Sequence, residues 1–319
     1  MSAKSGNHGD VVYRFEDNGF KEPEADTEFK VFGGNATLDT YEGSHEAVRV
    51  FNADRYAAEV VEQVFDGAWS VSGQLGAEPP WWFQAVWGSP TVTEVDGDLH
   101  EFEYALDSGG DPETLKLYLP TEGFGQYEVL HGCTVASVTI DQSHPNNPEF
   151  TVTGAYAAEP ERDDTESIGI PSFTKSTFTN RMADLEVGGT RVAKAQGQQI
   201  EIQTGTELIG EIGSGDMVDF VPRGFEPSVT HDKIVAEGQD VDMLDRFKSA
   251  ESVTLRQVFD NGGGGEDEYR VELAVSGGFP NSWSESGRND PDADLMEELQ
   301  EMGETASAKI IVDESEVPT

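Results

Sequence analysis

Cys133 is the only cysteine in the 319-residue chain, so no internal disulfide can form and no CxxC pair exists to ligate zinc or run redox chemistry. Basic residues are scarce as well: twenty Lys and Arg face sixty-two Asp and Glu, a formal net charge of −42. Sequence-independent binding to DNA or to an anionic membrane needs cations set against phosphate, and this composition argues against both. No apolar run approaches the roughly 18 residues a spanning helix requires. The opening stretch MSAKSGNHGDVVYRF lacks the apolar core of a signal peptide, so a soluble protein made in the cytoplasm is expected. His8, His45, His100, His131, His144 and His231 show no HxxxH or HxH spacing. Gly213-Ser-Gly-Asp216 lacks the GxSxG elbow of a serine nucleophile, and no base is evident near it. With carboxylates this frequent, no catalytic pair stands out, and neither an enzymatic site nor a cofactor is expected.

Low hydropathy with high net charge is also the signature of disorder. Here apolar residues still make up 36% of the chain, with 17 Phe, 8 Tyr and 5 Trp, and the acids are dispersed among them. That pattern fits a folded protein with a solvated acidic surface. In dilute buffer such a charge repels itself. At about 1 M salt the Debye length falls to ~3 Å and the carboxylates hardly interact. The composition therefore fits a molar-salt setting, that of an extreme halophile or of something that replicates inside one.

Short alternating segments dominate the pattern, as half-buried strands require. They include Ala47–Phe51, Trp69–Leu75, Leu99–Leu106, Thr114–Leu119, Val129–Ile140 and Glu149–Tyr156. Within Leu99–Leu106 the period puts Phe102, Tyr104 and Leu106 on one face, with Glu101 and Glu103 on the other. The turn formers of Gln142–Pro148 predict that Val129–Ile140 and Glu149–Tyr156 pair. Beyond a weakly periodic stretch at 157–180, strands are expected at Gln199–Ile202, Met217–Val221, Ser252–Phe259, Tyr269–Val275 and Ala308–Val312. Three helices are expected: Glu78–Trp87, opened by prolines and closed at Gly88; Val241–Lys248; and Asp290–Gln300, with Asp290 as N-cap and Pro291 in the first turn. The order of elements recurs in the two halves: a strand around Trp69 or Val229, a short helix, and then strands around Phe102 or Val271. Residue identity between the halves is slight, so both internal duplication and chance likeness of two acidic β regions stay open.

Two segments imitate ligand sites. Asp290-Pro-Asp-Ala-Asp-Leu295, with Glu301 at the twelfth position, has the acidic spacing of a calcium loop, but Leu295 stands where that loop needs Gly. A capped acidic helix is the simpler reading. Asp260–Glu268 carries four glycines followed by acids rather than Lys, which reads as a hairpin tip and not a phosphate cradle. The aromatic residues are more telling. Trp69, Trp81, Trp82, Phe83, Trp87, Phe102 and Tyr104 are candidates for the core or for a subunit interface, and the Trp-rich helix is also compatible with a sugar platform.

The order of these segments resembles the tail tube (major tail) proteins of long-tailed viruses. The resemblance runs through Gly67-Ala-Trp-Ser-Val-Ser-Gly73, Trp81-Trp-Phe-Gln-Ala-Val-Trp-Gly88, His100-Glu-Phe-Glu-Tyr104 and Leu130-His-Gly-Cys-Thr-Val-Ala-Ser-Val-Thr-Ile140, with Gly154 as a small residue in the next strand. It continues through Gly197–Ile202, Glu207–Phe220, Pro227–Thr230 and, as the family's late acidic helix, Asp292–Met302, covering roughly residues 30 to 315. The long acidic insertions depart from the pattern. The resemblance implies a mainly β fold with a few short helices, a β-sandwich or barrel built as two related β lobes. The expected division is residues 1–29 as an N-terminal arm, 30–160 as the first lobe, 161–180 as a linker and 181–319 as the second lobe. It also implies a structural virion protein, not an enzyme, in the tail of a virus infecting a halophilic archaeon and assembled in the host cytoplasm. Its partners would be copies of itself in stacked trimeric or hexameric rings, the tape measure, tail tip and tail terminator proteins, and viral DNA passing without tight binding. The competing reading is a halophilic β-sandwich binding module, such as a receptor-binding or surface-layer domain.

Overall fold

Period-two alternation decides most of the secondary structure. The computed structural model describes residues 11–16, 20, 29–39, 45–48, 59–62, 67–106, 111–120, 127–158, 160–163, 168, 173, 178–179, 183–192, 195–210, 217–222, 224–235, 243–249, 251–263, 267–286 and 296–313. The chain is mainly β. Its first strands are β1 (Val12–Phe15), β2 (Lys30–Val31), β3 (Gly34–Asp39), β4 (His45–Val48), β5 (Glu59–Glu62) and β6 (Gly67–Gln74). A 3₁₀ turn (Trp81–Phe83) runs into the one-turn helix α1 (Gln84–Trp87). Then come β7 (Thr91–Asp96), β8 (Leu99–Ala105), β9 (Leu115–Pro120), β10 (Tyr127–Ser143), β11 (Glu149–Tyr156) and β12 (Glu161–Asp163). The second half holds β13 (Ala183–Val187), β14 (Thr190–Arg191), β15 (Ala195–Gln203), β16 (Glu207–Gly210), β17 (Met217–Val221) and β18 (Glu226–Val235). It ends with α2 (Met243–Ser249), β19 (Val253–Asp260), β20 (Arg270–Ser286), β21 (Met296–Met302) and β22 (Thr305–Asp313).

One eight-stranded antiparallel sheet runs through both halves in the order β3-β6-β11-β10-β15-β18-β21-β20. A second sheet, β2-β1-β9-β10-β12, shares β10 with it. A third, β14-β13-β19-β20-β22-β8-β7, shares β20. The two shared strands are each 17 residues long, and each bends between sheets at a glycine with positive φ, Gly132 at 60° and Gly277 at 70°. A side chain there would be strained, and at Gly132 a Cβ would also come within 2.6 Å of Ala157 Cβ.

The ladders repeat. In the first half β1 pairs β2 and β9, β9 pairs β10, β10 pairs β11 and β12, β11 pairs β6, and β6 pairs β3. Replacing these by β13, β14, β19, β20, β21, β22, β18 and β15 reproduces the second half pair for pair. The hairpins β4–β5 and β16–β17 fall at the same point of the order. Among the described strands only β7–β8 lacks a counterpart, so the expected match of the strands around Phe102 and Val271 is corrected: Val271 lies in β20, which answers to β10 and not to β8. Irregularities coincide too: the shift between Leu130 and Cys133 answers that between Val275 and Gly278, and the one between Val135 and Ser137 answers that between Pro280 and Ser282.

The expected strand pairs are present, including β10 with β11 and the β19–β20 hairpin spanning the glycine-rich segment. Phe102 and Tyr104 of β8 are buried, while Glu101 and Glu103 face outward and pair with Lys309 at 2.9 and 3.4 Å. Leu106 departs from the expected face: it lies past the last residue of β8, where alternation no longer holds, and is exposed. The helix at Val241–Lys248 appears as α2, and that at Glu78–Trp87 is shorter, beginning only after Pro79-Pro80 and ending at Gly88, φ 84°. The third expected helix is corrected. Residues 290–295 lie outside the described set, but Met296–Met302 is strand β21, flanked by β18 on one side and β20 on the other. Pairing on both edges and burial of Leu299 and Glu301 at alternate positions override the local helical preference. The expected strand at Ala47–Phe51 is described only to Val48, as part of β4.

A single apolar cluster extends from Tyr13, Trp82 and Ile140 in the first half to Val229, Leu255 and Ile310 in the second. Phe178, in the stretch read as a linker, lies in that core and stacks on Tyr269 with ring centroids 4.6 Å apart.

Candidate self-assembly surfaces

The seven aromatic candidates converge on the interior. Trp69, Trp81, Trp82, Phe83, Trp87, Phe102 and Tyr104 are all buried in the main core. Prolines 79 and 80 turn the chain so that Trp81, Trp82 and Phe83 enter a tight turn and Trp87 follows one helical turn later. Trp82 meets Phe83 at 4.7 Å and Phe150 at 5.4 Å, and Phe83 meets Trp87 edge-on at 5.3 Å. Trp81 meets Phe102 edge-on at 5.0 Å. The indole N–H of Trp87 donates to the carbonyl of Ala306 on β22 at 2.9 Å, tying the first-half helix to the second half. Trp69 donates to the Ala155 carbonyl at 3.1 Å. Its indole lies over Gly154, where a Cβ would come within 1.8 Å of the Thr134 carbonyl oxygen and 2.7 Å of the indole nitrogen. These side chains hold the scaffold together from within.

The outer surface offers unpaired strand margins instead. Among the described residues β3 pairs only with β6. At the other end of the long sheet, the only strand among the described residues that pairs with Ser282–Ser286 of β20 is β21, whereas Arg270–Val275 has β19 on one side and β22 on the other. Open margins of this kind are templates for another chain. Edge strand β7 is exposed throughout and carries Val92 and Val95. The β16–β17 hairpin exposes Ile209, Val218 and Val221.

Charge is arranged accordingly. Among the described residues, only Glu16, Glu272, Glu301 and Asp313 are buried carboxylates. Glu16 accepts hydrogen bonds from Thr114 Oγ1 at 2.6 Å and from the Gly132 amide at 3.0 Å. Glu272 lies between Arg256, 2.6 Å away, and Arg270, 3.5 Å away. Hydrogen bonds donated to Glu272, helped by Glu186, raise the Arg256 pKa despite partial desolvation. Glu301 sits at the centre of a buried polar network. Arg246 of α2 donates through Nη2 to Glu301 Oε2 at 2.7 Å and to the Gly278 carbonyl at 2.8 Å, and through Nη1 to the Glu251 carbonyl. His231 Nε2 stands 3.6 Å from Glu301 Oε1, and Gln198 Nε2 is 3.2 Å from His231 Nδ1. By the matching ladders Glu301 takes the place of Gly154, and Val229 and His231 take those of Trp69 and Val71. The position that is a glycine beneath an indole in one half carries the acid of an ion pair in the other.

Among the described residues no group of three or more His, Cys, Asp and Glu is placed to hold a metal ion. None of their helices is long and apolar enough to cross a membrane. Residues 27–297 match the family model of the phage tail tube protein. The chain belongs to the phage tail tube protein family. No curated protein matches it significantly. Membership makes this tail tube protein a structural component of the virion tail, self-assembling with other tail parts. The Trp cluster stands out in the sequence, whereas β3 and the end of β20 do not. The signal available was the equivalence of Gly132 and Gly277, each in the bend of a long strand.

Proposed function

We propose that this subunit closes into rings whose long sheets join edge to edge, and that the rings stack into the hollow tube that delivers the viral genome. The observation that carries this reading is the eight-stranded sheet in a tail tube family chain, whose two ends among the described residues are unpaired. A closed ring satisfies both ends without leaving a free margin. The two β lobes, residues 30–160 and 181–319 joined by 161–180, act as two units of the ring, so three chains supply six. β1 belongs with the first lobe through its ladder to β9.

The charge of −42 serves two purposes in this reading. It keeps the protein dispersed in the molar salt of a halophilic archaeal host, and on the lumen wall it repels DNA phosphate so that the genome slides without adhering. Tape measure, tail tip and tail terminator proteins meet the tube along and at the ends of its length, and assembly takes place in the host cytoplasm. Purified protein viewed by negative-stain electron microscopy in molar salt tests the reading. Rings or hollow tubes are expected. Persistent monomers at every salt and protein concentration would refute it.

A further inference from the structure

The repeat inside the chain contains a template for the contact between chains. Constant offsets superpose the ladders of the two halves. Ser137 corresponds to Ser282, since each follows the strand irregularity against its neighbour, β11 or β21. Hence Thr139, Ile140 and Asp141 correspond to Ser284, Glu285 and Ser286. On the other side Leu38, opposite Trp69, corresponds to Ile200, opposite Val229. Hence Thr37 and Asp39 correspond to Gln199 and Glu201.

Within the chain the first-half strand of this set, β10, pairs with the second-half strand β15. That seam places Thr139 opposite Glu201, Ile140 opposite Ile200 and Asp141 opposite Gln199. Its two counterparts, β20 and β3, are the strands left at the ends of the sheet. We infer that the end of β20 pairs antiparallel with β3 of the next copy in the same register, Ser284 opposite Asp39, Glu285 opposite Leu38 and Ser286 opposite Thr37. The inference rests on the ring reading above and specifies its seam. The joint is heterologous, each copy presenting β20 to one neighbour and β3 to the other, which is the arrangement that closes rings.

Two features of the residues agree with this register. A hydroxyl residue stands opposite an acidic one in register at equivalent places in both seams, Thr139 with Glu201 and Ser284 with Asp39. No carboxylate faces another in the three aligned pairs. A slip of one residue in one direction would set Glu285 against Asp39, placing like charges directly opposite, and a slip in either direction would reverse which faces of the strands align. One position departs: Glu285 stands where the internal seam has Ile140, so the apolar pair Ile140–Ile200 is not repeated.

Paired cysteines test the register. Directly opposed residues of an antiparallel ladder have Cα atoms about 4.5–5.5 Å apart, within disulfide reach. Three double variants are needed: Thr37→Cys with Ser286→Cys, Asp39→Cys with Ser284→Cys, and the off-register control Thr37→Cys with Ser282→Cys, displaced by about 13 Å along the strand. Each is assembled in molar salt, oxidised and run on a denaturing non-reducing gel, with ring formation checked by electron microscopy. The expected result is loss of the monomer band for the two aligned pairs, into a ladder that stops at three chains, while the control stays monomeric. Rings in which the aligned pairs link no better than the control would overturn the seam and leave the tube reading standing. A ladder stopping at a different number would keep the seam and overturn the three-chain ring. Protein that never assembles, wild type included, would overturn both.

Discussion

Replacing Arg246 by Met should destabilise the chain by about 3–5 kcal/mol, because it removes one partner of a buried ion pair and leaves the other charge uncompensated. Arg246 is 7% exposed and Glu301 is fully buried. The guanidinium reaches Glu301 Oε2 at 2.7 Å and the carbonyls of Gly278 and Glu251. The Met side chain fills most of the volume but donates nothing, so the carboxylate and two carbonyls lose a donor together. Among the described residues Glu301 keeps only His231, at 3.6 Å. Measured against a typical domain stability of ~5–15 kcal/mol, that loss is large. It corresponds to a fall in melting temperature on the order of 10 °C. Trp fluorescence or near-UV circular dichroism during heating in molar salt would read it. Salt cannot rescue the variant by screening, because the pair lies out of reach of solvent ions. The companion variant, Arg246→Met with Glu301→Leu, removes both charges and should recover most of the loss, since burying an apolar pair in place of an ion pair is often neutral. A single variant that melts like wild type, or a double variant no more stable than the single, would refute the account of the network.

Three further outcomes follow from the packing. Trp82→Ala, which empties a site walled by Phe83, Phe150 and Phe32, should cost about 3–5 kcal/mol in thermal or denaturant unfolding, and wild-type melting would show that the indole is not core. Gly154→Ala should lower stability by about 1–3 kcal/mol or prevent folding, because its Cβ would collide with the Thr134 carbonyl; normal yield and melting would contradict the close approach of β10 and β11 there. Cys133 is buried, and burial together with the Glu16 charge pushes its thiol pKa up, so it stays protonated at pH 8. Thiol labelling at that pH should proceed only as fast as the protein unfolds, and rapid labelling of the native protein would show otherwise.

How much of this was legible beforehand depends on where each residue's partner lies. Strands such as Leu99–Ala105 declare themselves because alternation is local: Phe102 and Tyr104 turn inward and Glu101 and Glu103 outward with no knowledge of the rest of the chain. Met296–Met302 does not. Its Leu299 is spaced from Leu295 as on a helix, and a buried Glu301 makes sense only once Arg246, 55 positions away, is known to reach it. The aromatic cluster was recognisable as apolar area to be covered, but core and interface differ only in what covers it, and Trp87 is covered by β22, more than 200 positions on. The repeat of ladders was visible as an order of elements and nothing more, because equivalent positions carry different chemistry. Trp69 answers to Val229 and Gly154 to Glu301, so identity vanishes while the ladder persists.

The asymmetry between the halves bears on assembly. The seam inside the chain has seven aligned pairs between β10 and β15. It is reinforced by seven more between β8 and β22 and by the Trp87 to Ala306 hydrogen bond. The β7–β8 hairpin that provides this reinforcement has no second-half equivalent, since only three residues separate α2 from β19. On the proposed ring the seam between chains therefore lacks the clamp that the seam within each chain possesses, and it must form between two bodies each carrying a charge of −42. Repulsion at low ionic strength acts on the weaker joint first. Lowering salt from molar to tens of millimolar should release intact single chains from the ring before the fold is lost. Sedimentation or light scattering would record the fall in size while near-UV circular dichroism stays native. If tertiary signal disappears before or together with the large species, the two seams are equally strong, and the division between a seam made in folding and one made in assembly does not hold.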